Sequence, residues 1–500
     1  MNADSDSEVA YLLTEMPERP EAFAAEVHQL VLTGVKLHVF SLIPQTELAA
    51  LDVFAGAAIP LTCIPRRTRL SGAPSAPPGV RLAAISVLHA QLLWRRARAY
   101  LGALATVAAM CWRSRSSPSS RRAELLEDFL LAVEVAATIL AVGTVRHVHG
   151  YEGNRTSTRT WLVSRLTGLS FSFTAEAAAV PGSEPERDLL KRKLLASRFV
   201  VTRSDTARDH LTRAVPEAGA VHTVYHGINT QYFSPRPARP GPSAPVILSV
   251  GRFEENSGFE YLIAACAQLK AAGTDCCCWL VGPEGAGSRA VLRTIDTLGL
   301  SDRVSTYGSV TPTQLRHLLR RASVFALPRV KLGDPGGECL PEGLAEAMAT
   351  GIPVVSTATG VIHEVLEHRR NGIVLADRDS RSLARVLQAL LHSPGLRRHL
   401  GLSARQTACN AFDIRFTADL LKTLFHTLVP DTMATPDAPE DGLPRTSPRL
   451  RPVAELESRH DRSLQTHSVA QAAERTPSRV LESENAGIST SPAHCFRTAP

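Results

Sequence analysis

The chain has 500 residues, of which 44% are hydrophobic and 21% charged, the profile of a globular protein with a sizeable core. A formal charge of +7 spread over that length is too weak to argue for nucleic acid, and 5% aromatic residues disfavour a base-stacking surface. Nine cysteines include three in a row, Cys276, Cys277 and Cys278, and none form a CxxC pair, so they read as buried small hydrophobes in a reducing compartment.

The first ten residues, MNADSDSEVA, are acidic and polar, unlike a secretory leader. No stretch reaches the roughly 18 uninterrupted apolar residues of a membrane span. A cytoplasmic protein is expected; the arginines Arg95, Arg96, Arg98, Arg113, Arg115, Arg121 and Arg122, which punctuate apolar helical stretches, suit either peripheral contact with an anionic membrane or a solvated helix face beside a flexible loop.

Residues 9–13 (VAYLL) predict a buried strand. Over 21–33, Phe23, Val27, Leu30 and Val31 share one helical face, and Gly34 ends that helix before a second strand at 35–42. A strand–helix–strand unit implies a parallel sheet with a right-handed crossover. Helices are predicted at about 80–112 and 120–142, a strand at 144–149, a helix at 154–167, and strands at 169–174, 198–203 and 220–225, with a helix at 205–214 between the last two. Residues 234–245 hold five prolines and mark the clearest boundary, being too stiff to join a sheet interior.

A second alternating series follows. Strands are predicted at 246–250, 277–281, 304–307, 323–327, 353–356 and 372–375, with helices between them and a last helix at 411–428. The expected fold class is α/β, with two doubly wound domains. Their bounds are 1–235 for the first domain, 236–245 for the Pro-rich linker and 246–410 for the second. Residues 411–429 form a helix returning to the first domain. Residues 430–500 are rich in Pro, Ser, Arg and Glu and are expected to be a disordered tail.

The informative stretch is 333–357 (GDPGGECLPEGLAEAMATGIPVVST). Glu338 sits in a Gly-rich loop after a strand, and Glu346 lies along the helix that Pro341 opens. The amides around Cys339 and Leu340 would point out of the helix N-terminus, where an anion such as phosphate is favoured. Two carboxylates flanking that position suit vicinal hydroxyls, so the arrangement fits a nucleotide sugar.

That run resembles the Glu-x7-Glu signature of family 4 retaining glycosyltransferases of GT-B fold, in particular exopolysaccharide and colanic-acid types. Val250 to Phe253 with Gly258-Phe259 resembles the family's phosphate loop, and Tyr225 to Asn229 with Phe233 to Pro235 its "HGID…F.P" segment. Gly351 to Ser356 and Asn371-Gly372 resemble its downstream pattern. Met16-Pro17 with Glu21 to Phe23 resembles its "FPxxSETF" segment.

The resemblance implies two Rossmann-like domains facing a cleft. It implies transfer of a sugar from a nucleoside diphosphate sugar to the hydroxyl of a carbohydrate or lipid-linked acceptor, with retention of configuration, in cell-surface polysaccharide or glycolipid synthesis. It implies no cofactor and no metal. Glu346 would bind the ribose and Glu338 the donor sugar. Gly251 and Arg252 would bind the diphosphate, helped by the Cys339 and Leu340 amides and by Lys331. On the acceptor side, His149 belongs to a His-x-His segment. Glu176 stands where the family's "TAHxxD" motif has His, and Ala179 where it has Asp.

Ser257 stands where active members place Lys. These departures raise the alternative of a catalytically degenerate homologue that binds a nucleotide sugar and acts as a partner or regulator. His147 and His149 share one strand face; with no acid or cysteine at ligand spacing they read as acceptor-site or core residues. Glu364, in Gly360 to Glu364, resembles the family's "GIxE" stretch, or else simply caps a helix or faces solvent.

Overall fold

The computed structural model describes residues 8–17, 20–44, 48, 59–64, 78–113, 119–175, 183–235, 244–331 and 340–428. The expected tail at 430–500 and most of the Pro-rich linker lie outside them. So do Glu176, Ala179, Glu338 and Cys339.

The first lobe is a seven-stranded parallel sheet, ordered β3-β2-β1-β4-β5-β6-β7. Its strands are β1 (Glu8–Leu13), β2 (Leu37–Ser41), β3 (Leu61–Cys63), β4 (Val145–Gly150), β5 (Ser170–Ala175), β6 (Phe199–Thr202) and β7 (Ala220–Thr223). Its helices are α1 (Pro20–Leu32), α2 (Pro78–Arg95), α3 (Ala97–Arg113), α4 (Ser119–Val142), α5 (Asn154–Thr167), α6 (Glu184–Ala196) and α7 (Asp205–Ala214). An all-parallel sheet needs both faces covered. One face packs Phe171, Phe173 and Val148 against Trp161 and Leu162 of α5 and Phe129 of α4. The other packs Tyr11, Val39 and Phe199 with Phe23 and Val27 of α1.

The second lobe is a six-stranded parallel sheet, ordered β10-β9-β8-β11-β12-β13. Its strands are β8 (Val246–Val250), β9 (Cys277–Val281), β10 (Val304–Tyr307), β11 (Val324–Leu327), β12 (Val354–Thr357) and β13 (Ile373–Leu375). Its helices are α8 (Phe259–Ala271), α9 (Ser288–Thr297), α10 (Pro312–Arg321), α11 (Glu342–Thr350), α12 (Ile362–Val365), α13 (Ser380–His392) and α14 (Pro394–Ala411). The chain then returns. In α15 (Ile414–Leu428), Ala418, Leu421, Leu424 and Phe425 join the first lobe's core, and Lys422 Nζ donates to the Thr33 carbonyl at 2.6 Å.

Three differences from the sequence expectation stand out. The helix expected over 80–112 is two helices meeting at Arg96, where the Arg96 amide still donates to the Leu92 carbonyl at 2.8 Å and the guanidinium reaches the Thr167 carbonyl at the end of α5 at 2.5 Å. Helix α6 was not expected, although Ser183-Glu184-Pro185-Glu186 carries a capping pattern and the Ser183 hydroxyl donates to Glu186 at 2.8 Å. Helix α14 was also not expected; Ser393 accepts from the Leu396 amide, Pro394 opens the first turn, and Leu400, Ala404 and Ala408 bury one face.

Candidate functional site

In open parallel sheets, ligands bind beyond the strand carboxyl ends where the strand order reverses. In the second lobe that point lies between β8 and β11. The loop after β8 begins with Gly251, whose amide donates to the Val281 carbonyl at 2.9 Å, and Arg252. The Arg252 side chain is mostly exposed, and its Nε holds the Glu254 carboxylate at 3.0 Å. A 3-10 turn over Glu255–Ser257 folds the loop back, and the Ser257 hydroxyl donates to the Arg252 carbonyl. Gly258 follows with φ of +67°, and a Cβ there would overlap the Pro328 carbonyl, so the loop is pinned against the segment after β11.

That segment runs through Lys331, which is exposed, into residues outside the described set, and resumes at Leu340. Pro341 precedes the first turn of α11 with φ of −62°. Gly343 lets α11 approach closely: a Cβ there would lie 3.2 Å from Val250 Cβ. The N-terminus of α11 is therefore held beside the Gly251–Arg252 loop. Glu346, one turn further in, is 7% exposed, and its carbonyl accepts from the Thr350 hydroxyl at 2.8 Å. The structure thus sets the Gly251–Arg252 loop beside the first turn of α11, the helix that carries Glu346 and follows Leu340. Glu338 and Cys339 lie outside the described residues.

In the first lobe the order reverses between β1 and β4. Beyond β1 lie Thr14 and Glu15, and beyond β4 lie Tyr151 and Glu152. Glu152 was not singled out from the sequence. It has φ of +38°, unusual for a non-glycine residue. Its carboxylate lies 3.2 Å from Arg203 Nε and 3.3 Å from His226 Nε2. Arg203 in turn holds Glu26 at 2.9 Å, and Glu26 accepts from Tyr11. Burial and the nearby acids Glu26 and Glu342 raise the Glu152 carboxyl above its usual range, against the lowering effect of Arg203. Glu342 opens α11.

His149 is fully buried within β4. Its Nδ1 meets the Ser172 hydroxyl at 2.7 Å and its Nε2 the Thr174 hydroxyl at 3.1 Å. His147 meets Ser170 and Ser172 in the same way, at 2.8 and 2.7 Å. Burial drives both imidazoles down, His147 to about 3. The two rings form a neutral ladder along the sheet, stacked on Phe199. Glu176, the other residue expected on the acceptor side, lies outside the described residues. Among the described residues no cluster suited to a metal ion occurs, and no helix is long and apolar enough to cross a membrane.

Two parallel-sheet α/β lobes with these reversal points and a returning terminal helix define the GT-B fold. A glycosyltransferase crystal structure from Rickettsia africae shares it, with a TM-score of 0.61 at 17% identity over 84% of this chain and 98% of that one. HepE of Anabaena, solved with UDP and glucose, shares it with a TM-score of 0.57 at 14% identity over 84% of this chain and all of the other. Residues 234–407 match the family model described as Glycosyl transferases group 1. The putative colanic acid biosynthesis glycosyltransferase WcaL of Escherichia coli is 37% identical over 164 residues, 33% of this chain and 40% of WcaL. The amylovoran biosynthesis glycosyltransferase AmsK of Erwinia amylovora is 36% identical over 146 residues, 29% of this chain and 35% of AmsK. The chain thus matches well under half the length of these two relatives.

Proposed function

We propose that the chain is a glycosyltransferase of polysaccharide synthesis, moving a sugar from a nucleoside diphosphate sugar to a hydroxyl acceptor with retention of configuration. The observation that carries this is the junction of the Arg252 loop with the N-terminus of α11 at the second lobe's reversal point. Helix amides and a guanidinium there neutralise a diphosphate, a demand otherwise met by a metal ion. In the reaction the bond from the anomeric carbon to the diphosphate oxygen breaks. A bond from that carbon to the acceptor oxygen forms on the same face, and the acceptor's hydroxyl proton passes to the departing diphosphate oxygen. Arg252 and Lys331 hold the departing diphosphate, Glu346 the ribose hydroxyls, and Glu338 the sugar. Glu176 belongs to the acceptor side; His149, expected there, is fully buried with both ring nitrogens taken by Ser172 and Thr174, and braces β4 instead. No cofactor takes part.

The helical pair α2 and α3 supports a membrane-borne acceptor. Trp94 is 90% exposed and Trp112 65%, with Leu101 at 54% and exposed Arg95, Arg98 and Arg113 nearby. Exposed indoles flanked by guanidinium groups suit an anionic lipid surface.

A nucleotide-binding homologue without turnover is the second reading. It is favoured by the Arg252–Glu254 pair and by Ser257, whose hydroxyl serves the loop backbone. Incubating the purified chain with a panel of nucleoside diphosphate sugars and lipid-linked acceptors decides between them. Transfer with the anomeric configuration kept supports the enzyme; nucleotide binding with no transfer or hydrolysis across the panel supports the second reading; no binding at all overturns both.

A further inference from the structure

Helix α7 belongs to the first lobe, and its first turn carries backbone N–H groups that the helix cannot satisfy. Ser204 caps one of them, accepting from the Ala207 amide at 3.1 Å. The groups of Asp205 and Thr206 are taken by a side chain from the other lobe. Glu364, on the short helix α12, accepts from the Asp205 amide at 2.8 Å and from the Thr206 amide at 2.7 Å. Its Oε1 also accepts from the Thr206 hydroxyl. Its Oε2 accepts from the Tyr225 hydroxyl at 2.9 Å.

One carboxylate therefore receives four donors, all from the other side of the linker in sequence. The helix dipole and the negative charge favour each other, and charge-assisted bonds are about twice as strong as neutral ones. Tyr225 stands at the head of the crossing from one lobe to the other, and its ring lies edge-on to Phe412 at 5.3 Å, where the chain crosses back. Three residues on, Ile228 donates to the Phe412 carbonyl at 2.7 Å and accepts from the Ile414 amide at 2.9 Å. The two crossings are thus stitched together, and Glu364 bolts the second lobe to α7 beside them. Stitched crossings alone leave a rotation about their common line. A contact off that line removes it.

We infer that Glu364 is a positioning residue that fixes the angle between the lobes, holding the Arg252 loop and α11 opposite the ends of β1 and β4. The catalytic consequence rests on the transfer reading above; the geometric consequence does not. A misplacement of about 1 Å at reacting groups costs roughly a hundredfold in rate. The effect should therefore appear in kcat, while a nucleotide held by the second lobe alone should bind as before.

The test uses the full chain carrying non-natural amino-acid spin labels at positions 213 and 385, on the outer faces of α7 and α13. Glu364→Ala should broaden a single narrow label distance into a wide distribution. It should lower kcat at least tenfold and leave UDP affinity, by calorimetry, within twofold of wild type. Glu364→Gln, which keeps an acceptor oxygen, should recover much of the narrow distribution. Tyr225→Phe removes one donor and should broaden it slightly, and it supplies the same measurement should Glu364→Ala not fold. A wild-type distance distribution in Glu364→Ala, or in Tyr225→Phe where the alanine variant is unfolded, overturns the inference, as does unchanged kcat alongside a broadened one. A wild-type chain that transfers no sugar would sink the transfer reading, and the distances would still decide the role of Glu364.

Discussion

Arg252 and Glu346 were legible in the sequence because each sits in a local pattern: a strand end followed by a glycine-bounded loop, and a helix opened by proline. Glu152 carried no such signal, and Glu364 was singled out by its likeness to the family's GIxE stretch, with helix capping as the alternative that its bonds to the first turn of α7 bear out. The partners of Glu364 in α7 lie 158 and 159 residues away, and only the folded chain brings them together. Two expectations follow for the donor site. Glu346→Ala should weaken nucleotide binding by about ten- to a hundredfold, the worth of hydrogen bonds to a charged group, whereas Glu338→Ala should chiefly lower kcat; calorimetry with nucleoside diphosphates and steady-state kinetics separate the two effects. Ser257→Ala releases the Arg252 carbonyl and should cost about 1 kcal/mol in urea unfolding.

Among elements, the strands of both sheets other than β3 were readable as short apolar runs between turn signals, and their order along the chain gave the parallel topology. The division of the 80–112 helix at Arg96 was not, since neither glycine nor proline marks that point in the sequence. The β4 ladder sets a pH dependence. An unfolded His147 titrates near 6.5, while in the fold it titrates at about 3. Below 6.5 the unfolded chain takes up a proton that the folded chain refuses. The stabilisation is therefore complete above that value and is lost as pH falls toward 3, by at most about 1.4 kcal/mol per pH unit for each histidine. His149 acts in the same direction. Urea midpoints should fall between pH 7 and pH 5, and less steeply in His147→Gln. In α15, Phe425→Ala should destabilise the first lobe by about 3–5 kcal/mol, because the ring contacts Tyr11, His149 and Phe199 in a closed core. Thermal unfolding of the full chain would show it.

At the scale of the whole molecule, the α/β class and the two-lobed GT-B architecture followed from the strand–helix alternation and the family resemblance. The geometry of the cleft did not, since it depends on which side chains meet across it. The aromatic and arginine face of α2 and α3 gives this scale its own prediction. Trp94→Ser with Trp112→Ser should reduce cosedimentation with vesicles rich in anionic phospholipid and leave UDP affinity unchanged; equal sedimentation of the double variant would remove the membrane from the proposal.

The return of α15 has a consequence for biogenesis. The first lobe is assembled from segments at both ends of the described residues, and Leu421 and Phe425, which seal one face of its sheet, lie in the last described helix and leave the ribosome after the whole of the second lobe. During translation, then, the second lobe emerges complete while the first still exposes an open hydrophobic face. A nascent chain whose emerged part ends between residues 411 and 414 would hold a finished second lobe tethered to an unfinished neighbour, the state in which a chaperone has most to cover.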